Sequence, residues 1–142
     1  MTSVRTILED KHHRLLSIGP DATVYEALQA MAHFDVGSLV VLDGERLVGV
    51  FSERDYARKI ILLGKRSQDT RVREIMNDSV PCVAPDQSVD DCMGLMTDKR
   101  VRHLPVLDGD RVVGVVSIGD VVKEVISAQR HTINELEHYI RS

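Results

Sequence analysis

The sequence has no tryptophan, and its aromatic side chains amount to two phenylalanines and three tyrosines. That excludes a core built on large rings, so Val, Ile, Leu and Met must supply the interior. Cysteine is scarce too. Cys82 and Cys92 are the only two, and they do not form a CxxC pair. With no apolar stretch behind Met1-Thr2-Ser3-Val4-Arg5-Thr6-Ile7 to act as a secretory signal, they read as thiols rather than a disulfide. Cys92 falls on an apolar helix face and reads as a small buried hydrophobe. The aliphatic run Ile60-Ile61-Leu62-Leu63 is far shorter than the ~20 residues a membrane helix needs. The expected location is cytoplasmic.

A basic surplus is also missing. The 142 residues carry 18 Lys and Arg against 22 Asp and Glu, a net charge of -4. Nucleic-acid binders usually show the opposite balance, so neither nucleic acid nor membrane is an expected partner. Six histidines are present, yet none has the spacing of a metal site. His12 and His13 diverge in any regular element, and His131 and His138 stand two helical turns apart. There is no Gly-x-x-x-x-Gly-Lys-Ser/Thr loop and no Gly-x-Gly-x-x-Gly fingerprint. No nucleophile–base pair is recognisable. The expectation is a protein that is not an enzyme and holds no metal or catalytic cofactor.

What the sequence does contain is an internal repeat. Residues 20–55 align without a gap on residues 85–120, and 16 of 36 positions are identical. Upstream, Val4-Arg5-Thr6-Ile7 resembles Val72-Arg73-Glu74-Ile75 at a shift of 68 instead of 65. Three extra residues therefore belong to the first copy, near His12 and His13. Each copy parses alike. A short helix (Val4–Glu9, Val72–Met76) leads to an extended stretch (Leu15–Ile18, Val80–Val83) that Pro20 or Pro85 ends. A helix follows, opened by Thr23-x-x-Glu26 or Ser88-x-x-Asp91, the capping-box spacing. Two β-rich runs then flank Asp43-Gly44 and Asp108-Gly109, which read as hairpin turns. A last helix starts at Glu53 and at Gly119. The expected architecture is α/β (α+β): two β-α-β-β-α repeats packed sheet to sheet about a pseudo-twofold axis, with an extra C-terminal helix. The boundaries fall at 1–65, 66–127 and 128–142. One such unit alone buries little surface, and two would leave related clefts at their junction, where ligands commonly sit.

The segment Gly49-Val-Phe-Ser52-Glu-Arg-Asp55 recurs as Gly114-Val-Val-Ser117-Ile-Gly-Asp120, each time where a strand hands over to a helix. Free N–H groups at a helix start favour an anion such as phosphate, and a carboxylate three residues on suits the two hydroxyls of a ribose. Ser-x-x-Asp is equally a helix cap. The two roles are compatible, because a carboxylate has lone pairs to spare.

With Arg102-His103-Leu104-Pro105-Val106 before the second hairpin, the tandem motif resembles a pair of cystathionine-β-synthase (CBS) domains, a Bateman module, over about residues 1–127. The resemblance implies a regulatory module that binds AMP, ADP, ATP, NAD or S-adenosylmethionine between the repeats. At the second site, Ser117 and Asp120 would hold ribose, Arg102 and His103 would face phosphate, and Pro81-Cys82-Val83 would pass the adenine beside Pro105. At the first site Ser52 and Asp55 match, with Ile18 on the extended stretch. Gly37 and Ser38 replace the charged pair there, Val40 replaces proline, and Arg54 with Arg58 would compensate. The alternative is a ligand-free dimerisation scaffold or protein-interaction module.

Past the second repeat, Val122, Ile126, Gln129, Ile133, Leu136 and Ile140 alternate in steps of four and three, a heptad-like stripe. It reads either as packing on its own module or as a homodimer contact. No effector segment is recognisable, so any output would pass to another protein in trans.

Overall fold

The structure, a computed structural model, describes residues 2–11 and 15–141. The insertion expected near His12 and His13 lies outside them. Six α-helices and two small sheets are present among the described residues. The order is α1 (Val4–Lys11), β1 (Ser17–Ile18), α2 (Val24–Phe34), β2 (Ser38–Asp43), β3 (Arg46–Ser52), α3 (Glu53–Tyr56), α4 (Val72–Ile75), α5 (Val89–Lys99), β4 (His103–Asp108), β5 (Arg111–Ser117) and α6 (Ile118–Arg141). A π-helical turn, Ala57–Ile61, prolongs α3.

Local chemistry fixes most boundaries. Thr23 Oγ1 accepts from the Glu26 amide at 3.1 Å, and Ser88 Oγ from the Asp91 amide at 3.1 Å, so both expected capping boxes form. Helix α2 buries Val24, Ala27 and Met31 on one stripe, and α5 buries Val89, Cys92 and Met96. Both helices end on a non-glycine residue in the left-handed region, Asp35 (φ 53°) and Arg100 (φ 54°). The hairpins turn through Gly44–Glu45 and Gly109–Asp110, with Gly44 and Gly109 at φ 65° and 66°, a conformation glycine adopts without penalty.

Sheet one runs β1-β2-β3, with β1 parallel and β3 antiparallel to β2. Sheet two is the hairpin β4-β5 alone. The extended segment expected at Val80–Val83 contributes one parallel bridge, Val83 to Val106, instead of a strand. Proline explains the difference. In the first repeat the Val40 amide donates to the Leu16 carbonyl at 3.4 Å. The equivalent position in the second repeat is Pro105, which has no N–H to give.

The two cores exchange helices. α1, which opens the first sequence repeat, buries Val4 and Ile7 among Val83, Val89, Cys92, Met96, Leu104, Val106, Val116 and Val121 of the second. α4, which opens the second repeat, buries Val72 and Ile75 among Val24, Ala27, Met31, Leu39, Val41 and Phe51 of the first. Matched backbone hydrogen bonds hold both exchanges. Val4 N donates to Gln87 O (2.8 Å) and Arg5 N to Pro85 O (2.9 Å); Val72 N donates to Ala22 O (2.9 Å) and Arg73 N to Pro20 O (2.9 Å). The sequence repeat and the packing unit therefore do not coincide. The C-terminal segment is helical and continues α6 without a break to Arg141.

Candidate functional site: two unequal clefts between the repeats

Each Ser-x-x-Asp motif forms a helix cap. Ser52 N and Ser52 Oγ both donate to Asp55 Oδ2 at 3.0 Å, and Asp55 N donates to Ser52 Oγ at 3.3 Å. Ser117 N donates to Asp120 Oδ2 at 2.8 Å, and Asp120 N to Ser117 Oγ at 3.2 Å. The first helical N–H is used as well. Glu53 N donates to Gly37 O (3.1 Å) and Ile118 N to Arg102 O (2.9 Å). At each helix start, two of the amides expected to await a phosphate are thus already satisfied, and the charge for an anion has to come from side chains.

Two clefts supply the setting. The first, about 620 Å³, is lined by Ser52, Glu53, Arg54, Asp55, Arg58 and Lys59 from one repeat, with Gly37 and Val50. Lys99, Arg100, Val101, Arg102 and His103 face them from the other repeat, and Asn77 with Val80 complete the wall. The second, about 510 Å³, is lined by Val115, Ser117, Asp120, Lys123 and His103, facing Val36, Gly37 and Ser38, with Asp10, Leu15 and Leu16 closing it. Both sizes fall in the ~300–1,000 Å³ range of small-ligand sites.

The start of each hairpin thus lies across the cleft from the motif of the other repeat. Arg102 stands with Ser52 and Asp55, not with Ser117 and Asp120, and His103 borders both clefts. Gly37 also borders both, while Ser38 joins Ser117 and Asp120. Arg54 and Arg58 sit in the first cleft as expected from their helix. Ile18, Cys82, Val83 and Pro105 line neither cleft. Val83 belongs to the second core, Ile18 packs against the first, and Pro105 is buried in β4.

The charge separates accordingly. In the first cleft six cations (Arg54, Arg58, Lys59, Lys99, Arg100, Arg102) outnumber two carboxylates (Glu53, Asp55). In the second, Lys123 alone stands against Asp10 and Asp120. Some of the positive charge is already organised. Lys59 Nζ lies 3.4 Å from Asp55 Oδ1 and donates to Ile75 O at 3.0 Å, and Arg54 Nη1 crosses the cleft to donate to Arg100 O at 3.3 Å. Sequence reading missed Lys59, Asp10 and Lys123. Lys59 was within reach, since it lies one helical turn beyond Asp55. Asp10 was not, because it arrives on the exchanged helix α1.

The thiols stand apart from this chemistry. Cys92 is fully buried, and burial with Asp91 nearby pushes its thiol up to about 11. Cys82 is half-buried, its thiol raised by desolvation, and its Sγ lies 3.8 Å from the Val80 carbonyl oxygen as donor.

Two copies of one α+β unit, with exchanged first helices and a cleft on either side of their junction, define a tandem-repeat module. The chain belongs to the CBS domain family, whose model matches residues 4–62 and 72–127. It is 42% identical over 126 residues to the mitochondrial CBS domain-containing protein CBSX3 of Arabidopsis thaliana, covering 85% of this chain and 61% of that one. It is 29% identical to the CBS domain-containing protein YhcV of Bacillus subtilis, covering 89% of this chain and 88% of its relative. The chain thus spans about three fifths of the plant protein and most of the bacterial one. Among solved structures, a CBS-domain protein of Burkholderia ambifaria matches at 46% identity with a TM-score of 0.85, covering 90% of this chain and 96% of that one. No helix among the described residues is long and apolar enough to cross a membrane.

Proposed function

We propose that this chain is a regulatory module that senses adenine nucleotides, and that its first cleft takes the ligand with the larger phosphate charge. Family membership supports a regulatory or signal-transduction role. The observation that carries the finer reading is the first cleft itself. Asp55 and Ser52, the ribose contacts on this reading, stand across from Lys99, Arg100 and Arg102. Four net positive charges in a chain of net charge -4 are a concentration that a polyphosphate repays, since charge-assisted hydrogen bonds are about twice as strong as neutral ones. The second cleft, with its carboxylate excess, suits an adenosyl ligand of little or no negative charge. On this reading the protein is not an enzyme, works in the cytoplasm as a homodimer, and passes its state to an effector protein in trans. Ligand affects that state only by binding one arrangement of the repeats better than another.

Calorimetric titration with ATP, AMP, NAD and GTP tests this. The expected result is saturable binding of adenine ligands only, tightest for ATP. Arg102→Ala should weaken ATP by about ten- to a hundredfold, the worth of a hydrogen bond between charged groups, and AMP by less. It should also flatten the salt dependence of ATP binding. Absence of binding by every adenine ligand, in protein freed of copurified nucleotide, would leave the dimerisation scaffold as the function.

A further inference from the structure

We infer that the far half of α6 is a self-association arm, which pairs antiparallel with the same segment of a second copy and seats its tip over the partner's α5–α6 groove. This deepens the homodimer reading by naming the surface and the register.

Residues 126–141 of α6 are all exposed. The helix continues unbroken from its packed base at Val121 and leaves its apolar stripe facing solvent, the kind of surface that marks an interaction site. The stripe Val122, Ile126, Ile133, Leu136 and Ile140 is between 43% and 79% exposed. At its base, Val122 and Ile126 border a hollow of about 220 Å³ that Met93 and Met96 of α5 also line, with Thr97 as the one polar residue in its wall. In heptad terms Ile126, Ile133 and Ile140 take one seam position, and Val122, Gln129 and Leu136 the other.

An antiparallel pair about residue 131 sets the stripe against itself in every layer. Val122 meets Ile140 of the partner subunit, Ile126 meets Leu136 of the partner subunit, and Gln129 meets Ile133 of the partner subunit. The flanks also complement. Lys123 faces Glu137 of the partner subunit, and the symmetric pair repeats this. Arg130 meets its own copy at the axis, the one like-charge pair on the flanks, and Gln129 is the one polar residue in the seam. A parallel pair offers no such charge match, because Val125, Thr132 and Tyr139 would then face the charged flank, and it would crowd both modules at one end. From Val122 to Ile140 the helix spans about 27 Å. That length brings the tip of one arm to the base of the other, where Leu136 and Ile140 of the partner subunit reach the hollow.

Cysteine cross-linking with sedimentation tests the register. Ile126→Cys and Leu136→Cys proteins, each with Cys82→Ser, are prepared separately, oxidised alone, then mixed and oxidised. The expected result is a dimer of twice the monomer mass for the wild type and a disulfide-linked heterodimer only in the mixture. Ile133→Lys with Leu136→Glu, both on exposed sites, should give a monomer with unchanged helicity and nucleotide binding. Self-cross-linking of either single variant would overturn the antiparallel register. A dimer that survives the double substitution would overturn the arm while leaving the homodimer intact. A wild type that is monomeric at all concentrations would overturn both, whatever its nucleotide affinity.

Discussion

Gly114 lies directly beneath Leu8: a Cβ built on the glycine would come within 2.7 Å of Leu8 Cδ2. The pseudo-symmetric pair is Gly49 and Met76, where a Cβ would meet Met76 Sδ and the Asn77 carbonyl oxygen, both at 2.9 Å. Each glycine sits beside a bulge in its hairpin, between Val41 and Leu42 and between Val106 and Leu107 on the facing strands. The missing side chain opens the surface on which the exchanged helix lands. The Gly-h-h-Ser motif therefore serves the architecture before it serves any ligand.

The two glycines should not be equal under substitution. At Gly114 the neighbour is the end of a flexible leucine, which can rotate away. At Gly49 the neighbour includes backbone, and that backbone is pinned, since Val50 N donates to Asn77 O (3.0 Å) and Asn77 N to Val50 O (2.9 Å). Gly49→Ala should cost about 1–3 kcal/mol, the usual range for overpacking, and Gly114→Ala clearly less. Urea denaturation of both variants checks the order; equal losses would contradict it.

Helix exchange has a consequence that crosses the sequence. Ile7 belongs to the first repeat, yet its side chain is buried in the second core. Ile7→Ala should destabilise by about 2–5 kcal/mol, as buried aliphatic truncations do. The lost protection should appear in amide exchange of α5, β4 and β5 before β1, β2 and β3. Early loss in sheet one would mean that the two cores do not open separately.

Arg100 ends α5 in the left-handed region at φ 54° while lining the first cleft. For a residue with a Cβ that conformation costs roughly 1 kcal/mol, which glycine avoids. Arg100→Gly is expected to raise the melting temperature by a few degrees and to weaken ATP binding several-fold. The carbonyl that receives Arg54 Nη1 stays in place. A variant that gains stability and keeps full affinity would show that Arg100 is only a helix end.

Cys92 gives a pH signature. Burial raises its thiol from an ordinary value of 9.0 to about 11, so the folded state holds the proton longer than the unfolded chain. The contribution is complete below pH 9 and is lost as pH rises toward about 11. Stability should therefore fall across that window, and less steeply in Cys92→Ala measured against its own value at neutral pH. At pH 8 iodoacetamide should alkylate Cys92 in unfolded protein but hardly at all in folded protein.

Much of this was legible in the chain. The gapless 65-residue shift, the capping pairs Thr23–Glu26 and Ser88–Asp91, and the Asp-Gly turns are local signals, and local hydrogen bonds and φ preferences enforce them. The family could be read from the same segments. The lone bridge at Val83 was also within reach, because Pro105 removes a donor wherever it stands.

Partnership across the junction was not legible. Sequence adjacency puts Arg102 and His103 in the same repeat as Ser117 and Asp120, but the pseudo-twofold arrangement sends Arg102 to Asp55 and brings Ser38 to Asp120. It also sends Val4 and Ile7 into the far core. Residue type, cap and turn are decided within a few bonds of the chain and so belong to the sequence alone. Which wall faces which depends on how two nearly identical units bury their remaining apolar surface against each other. Only the tertiary structure decides that, and it gave the positive charge to the first cleft.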